Sequence, residues 1–217
     1  MYEFLTLAIT ETTVNTGKFN VIAMETKSQQ IIPFGLNKEQ IISSSSETFW
    51  DIGFTTIVTQ KPEREYTGND NSPFIIRGAV TLGANKINTL KGILDAKATS
   101  GTFFFENEKL RFCVLKVSRV ENVSIHLDNN SEQKNLKHYL SVNIYGMPAY
   151  KNPVSLLNKD YRWINFWNWI YSNSAYDEKK KKYIKLLNRR DKELYLILYR
   201  HNFKNGSKYW IVGMHWL

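Results

Sequence analysis

Catalysis and metal binding need convergent side chains, and this chain offers few sets with usable spacing. Its four histidines, His126, His138, His201 and His215, are dispersed, with no HExxH, no HxH and no cysteine beside them. The paired ligands that hold zinc from one helix or strand are therefore missing. Cys113 is the single cysteine; it sits in an apolar strand pattern, where an inert buried thiol is the expectation, and it excludes an intramolecular disulfide framework. No GxxxxGK[ST], GxGxxG or GxSxG occurs, which removes the P-loop, the dinucleotide fingerprint and the nucleophile elbow. Glu63, Glu65 and Asp70 share one polar segment and could gather on Mg²⁺ as a nuclease centre, but no D…ExK spacing accompanies them. The expectation is a protein with no catalytic residue, no metal and no cofactor.

Binding chemistry is better represented. Residues 1–150 hold 15 Lys and Arg against 15 Asp and Glu, whereas residues 151–217 hold 14 against 5, so the whole excess of +9 lies in the last third. Its candidate phosphate ligands are Lys179, Lys180, Lys181, Lys182, Lys185, Arg189, Arg190, Arg200, Lys204 and Lys208; a second set, Lys61, Arg64, Tyr66 and Asn69, lies in the polar segment 60–73. Five of the six tryptophans also fall in the last third. Cations neutralise phosphate and rings stack on bases, so this density suits nucleic acid, with exposed rings such as Tyr145, Tyr199 or Tyr209 adding a preference for single strands over duplex. Trp163, Phe166, Trp167 and Trp169 are alternatively the core, or the docking surface for a protein partner, with the basic face only aiding solubility or steering.

These groups need a frame, and the pattern supplies a β-rich one. Residues 2–9, 18–24, 30–34 and 49–58 read as strands, the third marked by Pro33 as an edge or a bulge and the fourth bent at Gly53. The serine run 43–46 and the long segment 60–73 read as loops. Ile87, Leu90, Ile93, Leu94 and Ala98 recur at helical spacing within residues 85–99, with Asn85 as a possible cap. Strands then return at 103–105, 110–117 and 139–145, the last two divided by a hydrophilic loop at 128–135. Residues 153–174 are apolar on every helical face, and periodicity leaves one helix or two open. Residues 177–190 place acids first and cations last, as the helix dipole favours. The chain closes as a hairpin, 193–199 with 208–216, around Asn205-Gly206. Short strands in this number, with two or three helices, point to all-β or α+β architecture built of small barrels.

The order of segments resembles the bacterial dual OB-containing domain family over nearly the whole chain. The likeness runs through Gly17-Lys-Phe-Asn-Val-Ile-Ala, Ile31-Ile-Pro-Phe, Asp51-Ile-Gly-Phe-Thr-Thr-Ile-Val with the loop from Pro62, and the closing hairpin from Leu194 through Phe203 to Gly213. Gln30 and Ile32 stand where the family has Trp and Arg, and the Gln-Pro-Glu-Asn order is missing from the loop. The resemblance implies two OB-like barrels, one over residues 1–120 with an inserted helix at 85–99 and one over 121–217, basic and Trp-rich. It also implies a nucleic-acid-binding role without catalytic residues, often beside mobile or defence-related genes. With no apolar run of about 18 residues and no basic leader at Met1-Tyr-Glu-Phe-Leu, a cytoplasmic, membrane-free protein is expected. Two readings stand: a nucleic-acid-binding accessory protein, or an interaction subunit of a heteromeric complex.

Overall fold

A computed structural model describes residues 2–11, 18–37, 41, 50–58, 81–84, 87–128, 135–172, 176–203 and 206–217. Lys61, Arg64, Tyr66 and Asn69, the carboxylates Glu63, Glu65 and Asp70, the serine run 43–46, Asn85, Lys204 and Asn205 lie outside the described residues. The chain divides into two compact units, Met1–Gly92 and Ile93–Leu217. Residues 120 and 121, the expected junction, both lie within one strand.

In the first unit, β1 (Tyr2–Glu11) pairs antiparallel with β2 (Lys18–Glu25) and with β4 (Phe54–Val58). β3 (Ile31–Asn37) extends the sheet beyond β2, and β5 (Thr81–Ala84) beyond β4. The order is β3-β2-β1-β4-β5. Pro33 lies in β3 at the end of that order, opposite Ile22, an edge strand being where sheets tolerate proline. Gly53 takes φ +84 immediately before β4, a left-handed turn that bends the chain into the strand. Phe4, Phe34 and Trp50 build the core, with Phe4 and Phe34 edge to face at 4.9 Å. Among the described residues this sheet is open: the expected first barrel has no pairing that joins β3 to β5.

The second unit opens within α1 (Ile87–Lys97), whose buried Leu90 and Leu94 match the expected stripe. A two-residue strand, β6 (Ala98–Thr99), runs beside β7 (Phe112–Asp128). β7 pairs with β8 (Asn135–Ile144), β8 with β9 (Val154–Asn158), and β10 (Leu194–Phe203) with both β11 (Gly206–Trp216) and β7. A parallel contact between β9 and β11 closes the ring into a five-stranded barrel, an order compatible with an OB fold. Up to that closure, β9-β8-β7-β10-β11 repeats the strand order of the first unit.

Two segments depart from the sequence pattern. The expected strand at 103–105 is helical: α2 (Gly101–Glu106) starts at Ser100, whose hydroxyl accepts the Phe103 N–H at 3.1 Å. Its far end is held by Arg200, which donates to the carbonyls of Phe104 at 2.5 Å, Phe105 at 3.3 Å and Asn107. A local cap at one end and a tertiary partner at the other thus override the β propensity of three phenylalanines. The undecided stretch 153–174 contains β9 followed by α3 (Tyr161–Ser172), and α4 (Tyr176–Leu187) follows.

The α3–α4 pair is locked to the barrel by three sets of polar contacts, one buried and two partly buried. Asp160 is 1% exposed; its Oδ1 caps α3 by accepting the Arg162 and Trp163 N–H groups, while its Oδ2 accepts the Met214 N–H of β11 at 2.9 Å. The Asn188 amide exchanges two 2.8 Å hydrogen bonds with the Val120 backbone, beside a bulge in β7. His138 donates from Nε2 to Asn168 Oδ1 at 2.8 Å. Burial lowers the His138 pKa from 6.5, against the opposing pull of that hydrogen bond. The unfolded chain therefore takes up a proton in a range where the folded chain resists it. The contribution of His138 to stability is full above pH 6.5 and is lost as pH falls toward its lowered folded value. Urea titrations between about pH 7.5 and pH 5 should show a falling unfolding midpoint that His138→Gln makes flatter. Asp160→Ala should cost about 2–4 kcal/mol at neutral pH, the sum of a lost cap and an orphaned buried N–H.

Candidate functional site

α4 carries Asp177 and Glu178 in its first turn and Lys185 in its last, the polarity that the helix dipole favours. Residues 179, 182 and 186 recur at spacings of three and four, so they share one side of the helix, and Arg189 follows just past its end. Tyr183 wedges that helix onto α3: its ring centroid lies 4.7 Å from Phe166, 5.3 Å from Trp167 and 6.2 Å from Trp163. The crevice left between the helices has a volume of about 470 Å³. Phe166, Ile170, Tyr183 and Leu186 form its apolar surface, Trp169 contributes an indole, and Lys179, Lys182, Lys185 and Arg189 supply the charge. Burial pushes the Tyr183 phenol above its ordinary range.

This groove unites two sets that the sequence presents separately. Of the four expected interface rings, Trp169 is 65% exposed and Phe166 is partly buried in the groove. Trp163 and Trp167 are instead core, packed 5.5 Å apart beneath α3, because their positions face the barrel. Lys180 and Lys181 lie on the same helix outside the groove, with the Lys180 ammonium 5.8 Å over Tyr176. Lys208 is an exposed residue of β11. Arg200, expected as a phosphate ligand, is 1% exposed: its guanidinium lies between Phe104 and Tyr209, at 4.9 and 5.2 Å, and is spent on the α2 carbonyls. Tyr209 packs with it against the core, Tyr199 is half-buried against Phe112, and Tyr145 remains 53% exposed.

Arg189 also borders a second, polar cleft of about 290 Å³, shared with Lys116, Arg119, Arg190, Lys192 and Tyr145. Acids offset part of its charge: Lys116 pairs with Glu193, Arg119 with Glu121 at 3.2 Å, and Arg189 with Asp191 at 2.6 Å. The Arg189 guanidinium holds the Asp191 carboxyl below its usual value. Basic groove and cleft thus meet at Arg189. No sequence pattern marks Lys116, Arg119 and Lys192, since they are single cations from the long strand and a turn that only the tertiary fold brings together.

The outer face of β7 and β8 is a different surface. Inward residues of β8 are His138, Leu140, Val142 and Ile144, which leaves Lys137, Tyr139, Ser141 and Asn143 outward. Opposite them stand His126, Ser124 and Asn122 of β7, with His126 and Tyr139 edge to face at 5.5 Å. It is a face of hydroxyls and amides with little cationic charge. Cys113 is buried, which pushes its thiol far above the ordinary range. Among the described residues no three His, Cys, Asp or Glu side chains gather to hold a metal ion, and no helix is long and apolar enough to cross a membrane.

No family model matches the chain, and neither a curated protein nor a solved structure matches it. The burial of Arg200 separates it from the other cations by experiment. Arg200→Leu should lower stability by about 2–4 kcal/mol, because the α2 carbonyls lose their donor. Arg190→Ala should leave the thermal midpoint unchanged, which differential scanning calorimetry would check.

Proposed function

We propose that this chain is a non-catalytic nucleic-acid-binding accessory protein that prefers single strands to duplex. The observation that carries the reading is the row of Lys179, Lys182, Lys185 and Arg189 along one groove, continued by the cations of the adjoining cleft. Lys179 to Lys185 span about 9 Å at helical rise, and Arg189 follows just past the end of α4. Each cation of the row can neutralise one phosphate, so the four together can engage about four phosphates of a strand. The barrel order supports the OB-like reading, and the matching order of the first unit supports a second barrel of the same kind. The likeness to the dual OB-containing family supports a role for such a module in a bacterial defence or mobile-element system.

A second reading is favoured by one observation, the 65% exposure of Trp169 above an apolar floor. Large exposed rings of this kind are common at protein interfaces, and an interaction subunit would bind a protein there and bare nucleic acid poorly. Fluorescence anisotropy separates the two. With about four phosphates engaged on a single strand, affinity should fall about 50-fold between about 50 and 200 mM salt. Changing Lys179, Lys182, Lys185 and Arg190 together to Glu should abolish binding. Absence of binding at either salt would sink the first reading and leave the second.

A further inference from the structure

We infer that the α3–α4 groove receives an unstacked base of a single strand, with the rim cations holding the phosphates on either side; this rests on the nucleic-acid reading above. Three observations converge. The groove volume of about 470 Å³ lies within the range of about 300–1,000 Å³ usual for small-ligand sites. Its floor is apolar, and Tyr183 and Phe166 already stand ring against ring at 4.7 Å, so a further flat ring meets aromatic surface there. Trp169 stands exposed at the lip, where it can cover a base from the solvent side.

The charge distribution selects the ligand. Three lysines line the groove together with Arg189, which is paired with Asp191, so the rim keeps a net positive charge that favours an apolar ring that brings negative charge with it. A nucleotide does: its base is flat and largely apolar on both faces, and its phosphate is anionic. In a duplex the base faces are stacked inside and only phosphates, sugars and base edges reach the surface, so a duplex can touch the rim but cannot lay a base face on the floor. The groove therefore discriminates between strands by depth, and its specificity for base identity is low because every base has a π face. Binding is assigned here to the helical pair, not to the hydroxyl-rich outer face of β7 and β8.

The test uses the full chain, fluorescent oligothymidylate and a duplex of equal length, read by anisotropy at low salt. Trp169→Ala should weaken single-strand binding at least about fivefold and leave duplex binding unchanged, and Trp169→Phe should restore most of the loss. Lys182→Gln with Lys185→Gln should weaken both ligands and make the salt dependence shallower. Trp169 is exposed, so these variants should fold, and an unchanged circular dichroism spectrum would confirm it. If Trp169→Ala leaves both affinities intact while the lysine pair weakens both, phosphate binding stands and base insertion is overturned. If the wild-type chain binds neither ligand, the nucleic-acid reading fails and takes this inference with it. Self-association of the wild-type chain in light scattering, lost in Trp169→Ala, would show instead that a second copy fills the groove.

Discussion

The buried carboxylate of Asp160 is the constraint on which the second unit turns. β9 and β11 share only two register pairs, Trp210 with Leu157 and Ile211 with Asn158, so the parallel seam is the thinnest part of the barrel. Lys159 adds one backbone bond to Ile211, and Asp160 then extends the seam with a side chain where the strand has ended. The same carboxylate starts α3, and Arg162 reaches past it to the Met214 carbonyl at 3.0 Å. Burial pushes the Asp160 carboxyl upward, against the Arg162 charge and three backbone donors that favour its ionised form. A buried acid in this position is tolerated because its oxygens are hydrogen-bonded, which is the condition under which such groups persist in cores.

From that junction the rest of the candidate site follows. Asp160 sets where α3 leaves the barrel; Trp163, Trp167 and Ile170 then fix which side of α3 faces the core. The opposite side presents Trp169. α4 is held in turn by the Tyr176 hydroxyl on the Val123 carbonyl at 2.9 Å and by Asn188 on Val120. Both anchors lie on β7, where a bulge interrupts the ladder and leaves Val120 backbone groups to be satisfied by an amide side chain. The groove is thus a by-product of two helices pinned to one barrel at separate points, with long basic side chains on its rim.

Arg200 shows the opposite use of a cation. It stands on a barrel strand among residues that alternate inward and outward, and its inward position places the guanidinium over Phe104 and Tyr209. Arginine suits that place because a planar, weakly hydrated cation can stack on rings while donating to several carbonyls. The same residue type does scaffolding work there and faces solvent at Arg189 and Arg190.

Much of the frame was legible in the sequence. The strands near residues 2, 18, 31 and 54, the helix around 87–97, the basic helix after 176 and the closing hairpin all follow from period, turn residues and charge order, because those signals act over a few neighbouring residues. The concentration of cations and tryptophans after residue 150 was equally plain from counting. What only the tertiary structure decided is which members of those sets face outward. Trp163 and Trp169 have the same chemistry and lie six residues apart, yet one fills the core and the other is exposed, since direction on a helix is fixed by what the helix packs against. Phe103 to Phe105 form a helix because Ser100 and Arg200, the latter nearly a hundred residues away, satisfy its two ends. Local composition specifies what a segment can form; long-range partners, which no local pattern encodes, select the form it takes and the side it shows to solvent.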